Sequence, residues 1–313
     1  MKWCSQQSTR YPSMAMQCGI SIVGAGRTGR ALGRRLHESG WKIHSVVTRS
    51  QSTARRAVRS IGAGRSRGEI SRELFSAPVI LVSVPDSAIE SVVARLAAFG
   101  NEHLRRKIVL HTSGALGSGV LASLRTYGAA VGCIHPLQTF SGVGIPALDG
   151  RIFVIEGDPA AIRIARGIAR SLTGQAIRLN PAARSLYHAA ATIAAGHVLA
   201  LVESAVQLFI SLGMKRREAL KALLPLTRQV LENLERLGPR AAWTGPLARG
   251  DYGVVALHEK SLRTVAPEYL DAYRAMNRLA ARVLASDPAL VISELGKSHA
   301  KIESQSNLTG ASA

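Results

Sequence analysis

The stretch Gly24-Ala25-Gly26-Arg27-Thr28-Gly29 constrains this chain more than any other. It follows the apolar run Ile20–Val23 and opens a segment of helical composition that continues through His37. Glycines spaced G-x-G-x-x-G between a strand and a helix permit a tight turn, let the backbone approach a pyrophosphate, and allow the helix to pack closely on the strand. The phosphates of a dinucleotide then meet the free N–H groups at the helix N-terminus. A glycine-rich turn without a ligand is the alternative. A second β-branched run, Ile43–Thr48, arrives where a βαβ unit requires it.

The same rhythm continues to about Leu179, with runs at Val79–Val84, Ile108–His111, Ala130–Ile134, Ile152–Ile155 and Ala176–Leu179 separated by helical stretches. Such alternation predicts a parallel sheet. After Asn180-Pro181 the pattern becomes helical, with segments expected at Ala182 to about Leu212, Arg216–Arg236, Tyr252–Val265 and Pro267–Leu284. The expected fold class is α/β: a Rossmann-type, doubly wound, mostly parallel sheet followed by an all-helical C-terminal domain. The expected organisation is a disordered tail over 1–17, a nucleotide-binding domain over 18–180, a helical substrate and dimerisation domain over 181–303, and a second tail over 304–313. The long Ala-rich helix is apolar on too many sides for the surface of a monomer, so a homodimer through the helical domain is expected.

Lys and Arg number 40 against 20 Asp and Glu, a net charge of +20 that favours anionic partners. The arginines are spread along the chain and aromatics are only 4%, so no stacking platform for bases is expected and nucleic acid is an unlikely partner. A small anionic metabolite fits better. Cys4, Cys18 and Cys133 form an odd set without CxxC spacing, which argues against a disulfide framework or a zinc site and suits a cytoplasmic protein. No run approaches ~20 uninterrupted apolar residues, so no membrane span is expected. Residues 1–17 lack the apolar core of a secretory signal.

The end of the second strand selects the cofactor. An acidic residue there would hold the ribose 2′-hydroxyl of NAD. This chain instead reads Thr48-Arg49-Ser50, with Arg55 and Arg56 close behind. A guanidinium and hydroxyls suit a 2′-phosphate, so NADP(H) is the expected cofactor. A solvated strand end is the other reading of Arg49. Ligands in such sheets lie beyond the carboxyl ends of the strands. Val84-Pro85-Asp86 should therefore flank the nicotinamide ribose, although Asp86 could be only a helix N-cap. The next two strand ends are His111-Thr112-Ser113-Gly114 and His135-Pro136-Leu137-Gln138-Thr139. Thr112 and Ser113 are candidates for the cofactor, and Ser113, Gly114, His135 and Gln138 for a substrate carboxylate. A metal is not expected.

Taken together, Gly24 to Gly29, Val84-Pro85-Asp86, His111 to Gly114, His135 to Thr139, Tyr187-His188-Ala189-Ala190-Ala191 and Thr244-Gly245-Pro246-Leu247-Ala248-Arg249-Gly250-Asp251 resemble the family that joins a Rossmann-like domain to a helical DUF2520 domain. The resemblance covers nearly the whole chain outside the tails. The family looks like a relative of ketopantoate reductases, pyrroline-carboxylate reductases and β-hydroxyacid dehydrogenases. The resemblance implies polar groups brought over the nicotinamide by the helical domain. His188, Thr192 and Gly196 are spaced to share one helix face, and relatives suggest Asn where Gly196 stands. Thr244 to Asp251 resembles a second substrate loop with Arg249 as a carboxylate clamp; Arg249 and Asp251 could instead pair only with each other. His258 lies seven residues beyond Asp251. The catalytic candidates are thus His188, His258, Arg249, Asp251 and His135, with Thr192 and Thr244 as further substrate contacts. The implied activity is NADP(H)-dependent reduction of a small oxo acid, with 2-dehydropantoate as the specific expectation. The His135-Pro136 segment is similar to that of prephenate dehydrogenases, which leaves that chemistry open. Imine (pyrroline-carboxylate) reduction and a non-catalytic, NADP(H)-binding regulatory role remain alternatives.

Overall fold

The computed structural model describes residues 19–298, which divide into two compact units between Ala194 and Ala195. The tails expected at 1–17 and 304–313, with Cys4 and Cys18, lie outside the described residues.

The first unit is built on eight strands: β1 Gly19–Val23, β2 Lys42–Val47, β3 Arg65–Arg67, β4 Val79–Val82, β5 Ile108–His111, β6 Ala130–Pro136, β7 Ile152–Gly157 and β8 Gln175–Arg178. Their order across the sheet is β3-β2-β1-β4-β5-β6-β7-β8. Every pairing is parallel except β6 with β7. Helices α1 Arg27–Glu38, α2 Gln51–Ile61, α3 Asp86–Ala97, α4 Gly100–Leu104 and α5 Pro159–Ser171 surround the sheet, and α6 Arg184–Thr192 closes the unit. All nine residues of β1 and β4 are buried, which explains their continuous apolar sequence. Two cores result. One gathers Ile20, Ile22, Leu32, Leu36, Trp41 and Phe153; the other gathers Val23, Ile80, Val82, Ile89, Val92 and Leu121.

The chain winds outward from β1 to β3 and then crosses back to β4 on the other side of β1. The carboxyl ends of β1 and β4 thus form the switch point where such sheets open a ligand crevice.

Three expectations change in this unit. Strand β3 carried no apolar signal, because its three residues Arg65, Ser66 and Arg67 form a short edge strand. Strand β6 continues through Pro136, paired with β7 as His135↔Val154 and Pro136↔Phe153, so these residues are strand rather than loop. Asp86 is the first residue of α3 and not its cap, since Pro85 holds the cap position.

The second unit holds α7 Val198–Ser211, α8 Arg216–Leu237, α9 Pro239–Ala242, α10 Pro246–Arg249, α11 Tyr252–Val265 and α12 Pro267–Leu284. Leu247, Val255 and Leu295 centre its small core, packed by Trp243, Tyr252 and Tyr273. The helix expected over Ala182 to Leu212 is interrupted by a π turn at Ile193–His197. Ala194, Ala195 and Gly196 oppose the wider turn with little side-chain bulk. The helical stretch Pro181–Ser211 is also long and apolar enough to cross a membrane by length and composition, with mean hydropathy 1.8 over its best window and 6% of that window buried. Counting uninterrupted apolar runs overlooked it, because single polar residues break each run without lowering the mean far.

Candidate functional site

The nucleotide turn is fixed by backbone geometry. Gly24 has φ +87, and its N–H donates to Val47 O at 2.8 Å. A Cβ there would lie 2.5 Å from Ser83 O, so the turn tolerates no side chain. A Cβ on Gly29 would lie 2.3 Å from Gly24 O, which shows how closely α1 packs on the turn. Gly26 differs, because a Cβ there meets nothing within 4 Å. It caps α1 without a side-chain hydrogen bond, and the first turn holds no acidic residue. The helix N-terminus is left with donors and positive potential facing open space, where a pyrophosphate fits. Ala25 is buried below the turn. Arg27 and Thr28 follow on α1, and Arg27 lies against Gly142, whose Cβ would be 3.1 Å from Arg27 Nε.

The carboxyl end of β2 presents hydroxyls and an arginine. Ser50 caps α2 by accepting from Thr53 N at 3.3 Å, and Thr48 Oγ1 donates to Ser50 O at 2.9 Å. No acidic residue occupies the first turn of α2, and Arg49 is exposed and among the described residues has no ion pair. The arrangement suits a phosphate on the adenosine ribose.

Contacts run on from there without a break. Val84 packs against Gly24, with Pro85 and Asp86 exposed beyond it. The Thr112 hydroxyl donates to Ser83 Oγ at 3.1 Å, joining the ends of β5 and β4. Ser113 Oγ accepts from Ala115 N at 3.2 Å and Leu116 N at 2.9 Å, so its lone pairs fold the turn that places Gly114. His111 supports the turn from below. Its Nδ1 accepts from Ser113 N at 3.2 Å and its Nε2 donates to Gly117 O at 3.1 Å, which is a neutral ring. Burial pushes it down to about 4.

Above Gly114 two imidazoles converge. A Cβ on Gly114 would lie 2.6 Å from His188 Cδ2 and 2.8 Å from His135 Nε2. The two rings meet edge to face with centroids 6.2 Å apart. His135 Nδ1 is 2.6 Å from the Tyr187 hydroxyl. Burial pushes the His135 ring down to about 4, helped by His188 and Arg184, and burial pushes the Tyr187 phenol up to about 12. Cys133 is buried nearby with its thiol pushed up to about 12 by burial, so it is not a nucleophile at neutral pH.

Four residues that the sequence analysis did not assign complete the site: Ser83, Glu156, Arg184 and Tyr187. Arg184 is 3% exposed and binds Glu156 Oε2 through Nη2 at 2.7 Å and Nε at 3.2 Å. Glu156 Oε1 accepts from Ser118 N at 2.8 Å and Ser118 Oγ at 2.9 Å. Burial works to raise the Glu156 carboxyl, but the bonds from Arg184 and Ser118 outweigh it and hold the carboxyl below its ordinary value. A signal existed. A lone carboxylate in the apolar run Ile152-Phe153-Val154-Ile155-Glu156 must find a partner.

The other candidates are committed to partners of their own or belong to the second unit. Gln138 spends its amide on the following loop, donating to Ala147 O at 3.3 Å and accepting from Thr139 N at 3.0 Å. Thr192 Oγ1 donates back to His188 O at 2.9 Å. In the second unit, Arg249 Nε pairs with Asp251 at 2.9 Å, Thr244 is exposed, and His258 Nδ1 lies 2.8 Å from the Tyr273 hydroxyl. Among the described residues no group of three His, Cys, Asp or Glu is placed to hold a metal.

A glycine-rich turn at the switch point of a mostly parallel sheet, with imidazoles over the neighbouring strand ends, defines a Rossmann-type fold. Residues 6–136 match the family described as Rossmann-like domain and residues 151–280 the family described as Domain of unknown function (DUF2520); the chain belongs to the family that pairs them. No curated protein matches its sequence. Among solved structures, a Bacteroides fragilis protein assigned as an NADP oxidoreductase is similar at 22% identity and TM-score 0.69, covering 84% of this chain and 98% of its own. A Thermotoga maritima protein is similar at 25% identity and TM-score 0.64, covering 84% and 97%. A reductive aminase of Aspergillus terreus, solved with NADPH and ethyl-5-oxohexanoate, is similar at 16% identity and TM-score 0.60, covering 85% and 94%.

Proposed function

We propose that this protein is an NADP(H)-dependent reductase of a small 2-oxo acid, with 2-dehydropantoate as the specific candidate. One observation carries the reading. An unbroken line of contacts runs from the Gly24 turn through Ser83 and Thr112 to the imidazole pair over Gly114. The likeness to an NADP oxidoreductase fold and to an aminase solved with NADPH supports it.

Gly24, Gly26 and the α1 N-terminus would hold the pyrophosphate, while Thr48, Arg49 and Ser50 would hold the 2′-phosphate. The carbonyl carbon receives a hydride from the reduced nicotinamide when the dinucleotide is bound, which is the chemistry that group supplies. His188, half-buried beside Gly114, donates a proton to the substrate oxygen as imidazolium, leaving a 2-hydroxy acid and neutral imidazole.

The test is NADPH oxidation over a panel containing 2-dehydropantoate, other 2-oxo acids, pyrroline-carboxylate and prephenate with NADP. Turnover of an oxo acid is expected. With that substrate, His188→Ala should lower kcat by ~10²–10⁴. Unchanged kcat in His188→Ala would remove it as the acid, and no turnover of any compound would overturn the enzymatic reading.

We further propose a homodimer formed through the second unit. The Pro181–Ser211 stretch leaves Leu199 and Leu201 exposed, and an apolar groove of about 480 Å³ between Leu201, Leu208, Tyr269, Met276 and Val283 needs cover. A second copy presenting the same surface supplies it.

A further inference from the structure

We infer that Tyr187 fixes His135 as a neutral imidazole whose Nε2–H points into the space over Gly114, where it donates to an acceptor oxygen of the substrate. This deepens the reading proposed above and rests on it for the word substrate.

The argument begins with the 2.6 Å contact between Tyr187 Oη and His135 Nδ1. Either atom could carry the shared proton. A phenol is the stronger donor and a bare imidazole nitrogen the stronger acceptor. Were Nδ1–H the donor, the phenol proton would need an acceptor of its own, and among the described residues Tyr187 Oη has no other hydrogen bond. The proton therefore belongs to Tyr187, and a neutral His135 must carry its own on Nε2. Burial disfavours a second proton on the ring, and the neighbouring His188 and Arg184 oppose it as well, against a smaller opposite pull from Asp86.

Nε2 is the atom aimed at Gly114, and among the described residues it has no hydrogen-bond partner. Gly114 is buried and has no side chain to fill the space. That N–H is part-buried but within reach of water, so a ligand atom with a lone pair can displace the water and accept from it. A carbonyl or carboxylate oxygen satisfies it; the N–H of a protonated imine would oppose it donor to donor. The pair then divides its work, with His135 polarising as a neutral donor and His188 supplying the proton. In this scheme Tyr187 is a positioning residue, because it acts through His135.

The experiment is ¹⁵N NMR of the full-length protein labelled at histidine, at pH 7 without ligand. The His135 signals are identified by their loss in His135→Gln. One pyridine-like Nδ1 and one pyrrole-like Nε2 resonance are expected, and Tyr187→Phe should move both toward the averaged position of an exchanging ring. Two pyrrole-like resonances, or the opposite tautomer, would overturn the inference, as would a spectrum unaltered in Tyr187→Phe. If Tyr187→Phe does not fold, the wild-type tautomer alone decides. This readout requires no turnover, so it can fail or succeed independently of the reductase reading. Where an oxo acid is turned over, Tyr187→Phe should lower kcat/KM at least tenfold with NADPH affinity retained, and an unchanged kcat/KM would count against the inference.

Discussion

Arg184 holds Glu156 with two guanidinium nitrogens, at 2.7 and 3.2 Å, inside a site from which both side chains are almost wholly excluded from water. The pair joins the first turn of α6 to β7, and through Ser118 it reaches the segment after the Gly114 turn. Tyr187 and His188 stand one turn further along α6, so the ion pair sets where their side chains begin. Removing one partner of a buried pair strands the other charge, at a cost of about 3–5 kcal/mol. Arg184→Ala should lose stability on that scale in urea denaturation. A loss below about 1 kcal/mol would show that the pair is not the anchor.

Acid should weaken the fold before the carboxylates titrate. The His111 ring is held near 4 in the folded protein against 6.5 for an ordinary histidine, so between these values the unfolded chain binds the extra proton. Stability is therefore full above about pH 6.5 and falls as pH drops toward 4. At about 1.4 kcal/mol per pH unit, His111 accounts for a loss on the order of 3 kcal/mol. Denaturation curves at pH 7.5 and 5 should show the decline, and it should be shallower in His111→Asn. Equal slopes in the two proteins would exclude His111 as its source.

Gly26 and Gly29 should separate binding from folding. Gly26 has φ −67 and open space at its Cβ position, so Gly26→Ala should melt within a few degrees of wild type yet bind NADPH at least tenfold more weakly. Gly29→Ala drives a methyl toward Gly24 O and should lower the melting temperature clearly. Calorimetry with and without cofactor reads both effects, and undiminished binding by Gly26→Ala would remove the pyrophosphate from the α1 N-terminus.

Cofactor choice should depend on Arg49. Loss of a charge-assisted hydrogen bond costs about 1.5–3 kcal/mol, so Arg49→Ala should weaken NADPH by roughly tenfold or more while NADH changes little. Equal affinity of the wild type for the two cofactors, measured by fluorescence titration, would contradict the assignment of the 2′-phosphate to the carboxyl end of β2.

Association should appear at micromolar concentration. Light scattering should give about twice the 33.3 kDa chain mass, and Leu201→Glu with Met276→Glu should shift the population to monomer. A wild-type protein that scatters as a monomer would refute the dimer.

What the linear chain determined was whatever depends on local order. The strand-turn-helix at Gly24 to Gly29, the buried strands and the helices Tyr252–Val265 and Pro267–Leu284 were readable because glycine placement and apolar periodicity act over a few residues. The edge strand Arg65–Arg67 was not, since a three-residue polar strand has no pattern and exists only because Val47 and Ser45 pair with it. Nor could spacing show that His135 lies in a strand, because that depends on an antiparallel partner beginning seventeen residues later at Ile152. The site itself was decided by tertiary structure. His135 and Tyr187 are separated by 52 residues, and Glu156 and Arg184 by 28. Each is an ordinary residue until the sheet brings β6, β7 and α6 together, excludes water, and makes a hydrogen bond or charge partner a requirement of burial.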